Sequence, residues 1–137
     1  MNTVTVENCD FKNLKVMKLD NKIRILAKGS TRIANTEMSS GGKLEESELT
    51  GEGFGWVVLS EAIDNGAEVS LVGSYENVEI IGDGLNVTFS GGTVEALTVS
   101  NAGTNTKIDI GIGELIKALT LNAKSIVGGL GKVGTVS

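Results

Sequence analysis

One spacing recurs along the whole chain: an apolar residue, two others, an apolar residue, one other, and a third apolar residue. It occurs at Phe11–Leu14–Val16, Phe54–Val57–Leu59, Tyr75–Val78–Ile80, Val94–Leu97–Val99 and Ile116–Leu119–Leu121. A weaker copy, Ile33–Thr36–Met38, has threonine in the middle slot, and a last one begins at Val133–Val136. The first slots fall at positions 11, 33, 54, 75, 94, 116 and 133, so successive copies lie 17 to 22 residues apart. A unit that short cannot bury its own apolar side. The repeat is satisfied only if units stack so that like side chains lie above one another.

Between these copies runs a second pattern of strict alternation, Val4/Val6, Ile23/Ile25, Val69/Leu71, Val87/Phe89 and Ile108/Ile110, with partial members at Leu44 and Ile126. Alternation at period two marks a strand with one buried face. Each period thus holds two short strands, separated by turn-forming clusters such as "KGS", "SSGG", "GDG", "SGG" and "NAGTN". The reading is an all-β chain folded as a single-stranded parallel β-helix, or β-solenoid, of about seven coils of roughly 20 residues. A β-sandwich also has many short strands, but a two-residue gap breaks strand alternation and implies a corner instead. The chain has no proline, as expected where each coil donates backbone N–H groups to the next. Variable coil length favours a right-handed helix over the strict left-handed hexapeptide type. "LSEAIDNGAE" (Leu59–Glu68) stretches the strand spacing, and it is expected to be a loop or single helical turn bulging from one coil. Residues 1–137 are expected to form one domain, a fragment of a longer repeat protein, because the last copy of the repeat is cut short.

Composition removes several chemistries. The chain has no histidine, so Ser-His-Asp and Cys-His catalysis and the commonest zinc ligand sets are closed to it. A net charge of −5 argues against nucleic acid and anionic membranes as partners. No apolar run is long enough to span a bilayer, so no membrane insertion is expected. The N-terminal residues lack the basic head and apolar segment of a signal peptide. Cys9 is the single cysteine, and it is read as a small hydrophobe packed in the fold.

The stretches "GGTVEALTVSNAGTNTKIDIG", "IKALTLNAKSIVGGLGKVGTVS" and "YENVEIIGDGLNVTFSGG" resemble the degenerate repeats of large S-layer-type and cell-surface proteins of Gram-positive bacteria. The resemblance is best over residues 75–137. It implies an extracellular, cell-surface structural segment whose anchoring and adhesive parts lie elsewhere in a parent protein. Similar patterns also occur in pectin-lyase-like enzymes, phage fibre shafts and cytoskeletal bactofilins.

Chemistry is sparse. Asp20, Asp64, Asp83 and Asp109 are dispersed, and most sit beside turn residues. The acidic run Lys43–Gly53 reads as a solvated strand face, with a loose cation site of Glu46, Glu48 and Glu52 as the sharper alternative. "GLGKVG" (Gly129–Gly134) lacks the Ser or Thr that a phosphate loop carries after its lysine. Phe54, Val57 and Leu59 fill inward slots, so Trp56 is expected to point outward, packing under the Leu59–Glu68 bulge or stacking on a sugar. A carbohydrate contact at Trp56 and Tyr75 is the ligand expectation. No catalytic residue, metal or cofactor is expected. The expected function is a non-catalytic structural or scaffold segment of a bacterial surface protein. The alternatives are a carbohydrate-binding or polysaccharide-processing β-helix and a cytoplasmic, self-assembling bactofilin-like solenoid. The expected partners are other copies stacked end to end, and cell-wall or other polysaccharide.

Overall fold

A computed structural model describes residues 2–17, 23–100 and 105–137. Among them are fourteen strands and no helix. In chain order these are β1 (Asn2–Glu7), β2 (Asp10–Val16), β3 (Ile23–Gly29), β4 (Arg32–Met38), β5 (Gly42–Leu49), β6 (Gly53–Leu59), β7 (Glu68–Val72), β8 (Tyr75–Ile80), β9 (Asn86–Ser90), β10 (Thr93–Val99), β11 (Thr106–Ile110), β12 (Leu115–Leu121), β13 (Ser125–Gly129) and β14 (Lys132–Val136). Odd-numbered strands form one seven-stranded sheet, A, and even-numbered strands a second, B. All neighbours are parallel, and each strand pairs with the strands two places before and after it in the chain. The chain is therefore a parallel β-solenoid, seven strand pairs stacked along one axis in about six turns.

The repeated spacing maps directly onto sheet B. Phe11 pairs in register with Ile33 and Ile33 with Phe54, and further along Tyr75, Val94, Ile116 and Val133 continue the same slot. The middle slot stacks Leu14, Thr36, Val57, Val78, Leu97, Leu119 and Val136, and the last stacks Val16, Met38, Leu59, Ile80, Val99 and Leu121. Away from the ends, these side chains are buried and form one core with the inward residues of sheet A. The two residues between the first and middle slots point away from that core. The break in alternation is the bend that lets a seven-residue segment wrap the core edge.

In sheet A the alternation holds, with two changes of detail. Val4 and Val6 stand opposite Ile25 and Ala27, while Ile23 lies opposite Asn2. At β13 the slot opposite Ile108 is filled by Val127, and Ile126 points outward at 62% exposure. Ile126 was expected on the inner face. With glycines at 128 and 129 following Val127, β13 offers only one apolar pair from which to read parity.

The Ser60–Ala67 segment is a loop of tight turns. The Ile63 N–H donates to the Ser60 carbonyl at 3.2 Å, the Ala67 N–H to the Asp64 carbonyl at 3.0 Å, and the Gly66 N–H to the Gly84 carbonyl at 2.9 Å. Its apolar anchor is Ile63, which enters the core together with Leu85. Trp56 is not that anchor.

The corner from sheet A to sheet B is lined by polar side chains that serve backbone groups. Thr31 Oγ1 donates to the Lys28 carbonyl at 2.6 Å and accepts from the Cys9 N–H at 3.3 Å. Glu46 shares the inner face with Leu44, opposite Ala27. Its carboxylate accepts from the Phe54 N–H at 3.0 Å and the Ser74 N–H at 2.8 Å. It fits because Gly53 and Gly73, both with positive φ, carry no side chain where the carboxylate lies. Glu114 repeats the arrangement higher up, accepting from the Gly92 N–H at 2.6 Å through Oε2, with Oε1 buried and unpartnered. Burial pushes both carboxyls above the ordinary carboxylate range, against the pull of their N–H donors. Cys9 is partly buried against the core.

Candidate functional site on the outer face of sheet B

The outward residues of sheet B form columns along the solenoid axis. One reads Asn13, Asn35, Trp56, Asn77, Ala96, Ala118 and Thr135, all in register. The residues immediately before them, Lys12, Ala34, Gly55, Glu76, Glu95, Lys117 and Gly134, are the other members of the outward pairs. Amides thus flank a single indole on successive levels about 4.8 Å apart. Trp56 is 44% exposed, with its ring at the outer face of the sheet.

Two shallow depressions border this column. One, of about 360 Å3, takes in Arg32, Glu52, Gly55, Glu76 and Glu95. The other, of about 520 Å3, takes in Asn13, Asn35, Glu37, Trp56 and Val58. The first exists because the column is small at Ala34 and Gly55. A side chain at position 55 would approach the Ala34 carbonyl oxygen to 2.9 Å. The charges along its rim are mostly paired: the Arg32 guanidinium donates to Glu52 at 2.9 Å and to Asp10 at 3.4 Å. These bonds hold the Arg32 pKa above its usual value. Lys117 meets Glu95 at 2.9 Å. On the opposite sheet, Arg24 forms a two-point pair with Glu45 at 2.8 and 3.2 Å, which holds the Glu45 carboxyl below the usual range.

Trp56 therefore points outward as its place in the repeat requires. Tyr75 does not join it. Its ring fills an inward slot at 2% exposure, stacks on Phe54 at 5.8 Å, and its hydroxyl lies 3.0 Å from the Leu44 and Val72 carbonyl oxygens. Burial first, then the nearby Glu46 and Glu114 charges, raises the phenol pKa well above its usual value. The two rings therefore do not share an exposed surface, which corrects the expectation that Tyr75 stands beside Trp56 at a contact face. The repeat itself held the signal, since Tyr75 occupies the slot of Phe54 and Val94.

The loose cation site does not assemble. Glu46 is turned inward onto two backbone N–H groups, Glu48 approaches Lys28 at 3.9 Å, and Glu52 is bound to Arg32. Among the described residues, no three acidic or thiol side chains gather as metal ligands do. Asp109 is outward and exposed, Asp64 and Asp83 are exposed in turns, and Asp20 lies outside the described residues. The acidic run was thus only partly a solvated face: the parity of Leu44 already put Glu46 on the inner side.

Fold and outer face together define a two-sheet parallel β-solenoid with one aromatic-centred surface. Among solved structures, this chain is similar to part of ChiW, a cell-surface-expressed multi-modular chitinase from Paenibacillus sp. str. FPU-7, with a TM-score of 0.90 and 37% sequence identity. The match covers 97% of this chain and 12% of that one, so the chain spans about an eighth of the chitinase's length. No protein-family description matches the sequence, and no curated protein matches it.

Proposed function

We propose that the chain is a non-catalytic module of a bacterial cell-surface protein, and that it holds a polysaccharide against the outer face of sheet B through Trp56. The observation that carries this reading is the 37% identity over 97% of the chain with a segment of a cell-surface-expressed chitinase. Surface placement and a polysaccharide of the chitin kind are brought to this chain from that likeness. The Trp56 face supplies the chemistry: an exposed flat ring for the apolar face of a sugar, with Asn35 and Asn77 in register on either side as hydrogen-bonding groups. Rim carboxylates mostly tied up in ion pairs suit holding a sugar chain rather than cleaving it, since glycoside cleavage needs a pair of free carboxyl groups.

The test is a depletion assay with insoluble chitin and with purified cell wall. The wild-type chain is expected to leave solution with the solid, and Trp56→Ala to remain in solution while its circular dichroism and melting are unchanged. Equal retention of the two would remove Trp56 from the function.

A second reading, a rigid structural segment of S-layer type that stacks end to end, is favoured by the axial stacking of the described levels, each pairing in parallel register with the next. Light scattering over a concentration series distinguishes it, since mass rising by whole copies requires stacking and constant mass excludes it.

A further inference from the structure

We infer that the polysaccharide lies along the solenoid axis, in a trough on the outer face of sheet B that ends at Trp56 and reads N-acetyl groups. The inference rests on the polysaccharide reading above and adds the direction, length and substituent of the ligand. The depression of about 520 Å3 that holds Trp56 is bounded by two outward columns. Asn13, Asn35 and Trp56 form one of them. Lys15, Glu37 and Val58, two residues further along the same strands, form the other. Leu14 and Thr36 lie between the columns as the floor. Every lining residue thus comes from β2, β4 or β6, and the hollow follows three successive levels rather than a single strand. The columns stand about 6.6 Å apart and the levels about 4.8 Å apart.

A pyranose in an extended β-1,4-linked chain advances by close to one level, so the trough seats one sugar per level with the last on the indole. The walls suit a neutral polymer, because Lys15 and Glu37 pair with each other across adjacent levels at 3.8 Å. Asn35 Nδ2 donates to the Lys12 carbonyl at 3.3 Å, which holds the amide in place and leaves Oδ1 to accept from a ligand. The floor supplies a second polar group. Thr36 is 3% exposed, and its Oγ1 has no hydrogen-bond partner among the described residues. Its in-register neighbours are Leu14 and Val57, so packing alone would be met by valine without the cost of an unpaired hydroxyl. An acetamido group answers all of these features. Its N–H meets Asn35 Oδ1, its carbonyl accepts from the Thr36 hydroxyl, and its methyl group lies against Trp56 and Val58. A sugar hydroxyl at the same position supplies neither the carbonyl nor the methyl group. The ligand class is therefore a linear, neutral N-acetylhexosamine polymer.

The experiment is isothermal titration of the whole chain with N-acetylglucosamine oligomers from dimer to hexamer, and with cellohexaose, which has the same linkage and a hydroxyl in place of each acetamido group. Affinity is expected to rise from the dimer to the trimer or tetramer and then level off. The N-acetylglucosamine hexamer is expected to bind about tenfold more tightly than cellohexaose, the scale of one or two net hydrogen bonds. Thr36→Val keeps the side chain's shape and is expected to remove most of that preference while the melting midpoint holds or rises. Asn13→Ala, two levels from Trp56, is expected to weaken binding of the hexamer about threefold. Affinity already at its limit with the dimer, or no loss in Asn13→Ala, would overturn the axial placement. Equal binding of the two hexamers, or a preference that survives both Thr36→Val and Asn35→Ala, would overturn the acetamido reading. In either case Trp56-dependent retention on chitin leaves the polysaccharide reading standing. Failure of the wild-type chain to bind any of these oligomers or insoluble chitin would overturn both.

Discussion

Phe54 and Phe11 occupy the same slot of the repeat, yet Phe54 is 1% exposed and Phe11 is 40% exposed. The middle slot shows the same contrast: Leu97 and Val57 are fully buried, while Val136, in their column at the last level, is 62% exposed. Nothing in the residue types accounts for it. What differs is the number of neighbouring levels, two for an internal coil and one for a terminal coil. In this architecture burial belongs to the stack, and a residue's contribution is set by its place along the axis as much as by its own chemistry.

The sharpest way to break that comparison is to truncate the same slot at both places. Phe54→Ala is expected to lower unfolding stability by about 3–5 kcal/mol, as for a fully buried aromatic. Phe11→Ala is expected to cost about 1 kcal/mol or less, because it starts half in water. Urea denaturation monitored by circular dichroism measures both. Equal losses would mean that the first level is covered in solution. The corners allow a second, smaller contrast. Glu46→Ala leaves the Phe54 and Ser74 N–H groups without a partner inside the stack and is expected to cost about 1–3 kcal/mol. At the first corner, Asn8→Gly keeps the positive φ and removes the acceptor 3.0 Å from the Ser30 N–H. Water replaces that acceptor, so the expected loss is about 0.5–1 kcal/mol.

The smallest effect is in pH. The raised pKa values of Glu46 and Glu114 mean that the folded chain binds these protons more tightly than the unfolded chain, whose carboxyls titrate near about 4.3. Their contribution to stability is therefore greatest below that value and is lost as pH rises through the folded pKa. Glu45, lowered by Arg24, acts in the opposite sense: its contribution is present above the unfolded value and lost as pH falls through the folded one. The melting midpoint should rise as pH is lowered from neutral through the raised folded pKa values of Glu46 and Glu114, and fall again in stronger acid. Glu114→Gln, which keeps an acceptor for the Gly92 N–H and removes a buried charge with an unpartnered oxygen, should raise the midpoint at pH 7 and flatten the rise. An unchanged slope in that variant would mean that Glu114 is solvated.

The architecture was legible because it is written in spacing. The first-slot positions predicted from the sequence are the positions that stack, and even Thr36 sits in the inner column that its place in the repeat gave it. The corner carboxylates were harder to read. Glu46 and Glu114 are satisfied by N–H groups 8 to 28 residues away, and an acidic residue near glycines looks the same in sequence whether it faces water or fills a corner. The fate of Tyr75 was available from its slot, whereas its hydroxyl partners, carbonyls of Leu44 and Val72, depend on how one coil sits on another. Trp56 could be placed outward from parity alone. The hollow beside it required Ala34 and Gly55 to lie on adjacent levels, and that follows only once the register is known.

The parallel, nearest-neighbour pairing also decides how the molecule responds to a pull. The first strands of both sheets lie at one end of the axis and the last strands at the other, so tension applied through the two chain ends runs along the stack. The hydrogen bonds between levels lie along that same direction, and a terminal level is held by one neighbour only. Load therefore peels the outermost coil first and leaves the remaining levels with their core intact. Each coil of roughly 21 residues lengthens the chain by about 70 Å as it comes free. A stack held level by level in this way is expected to lengthen in discrete steps rather than rupture at once.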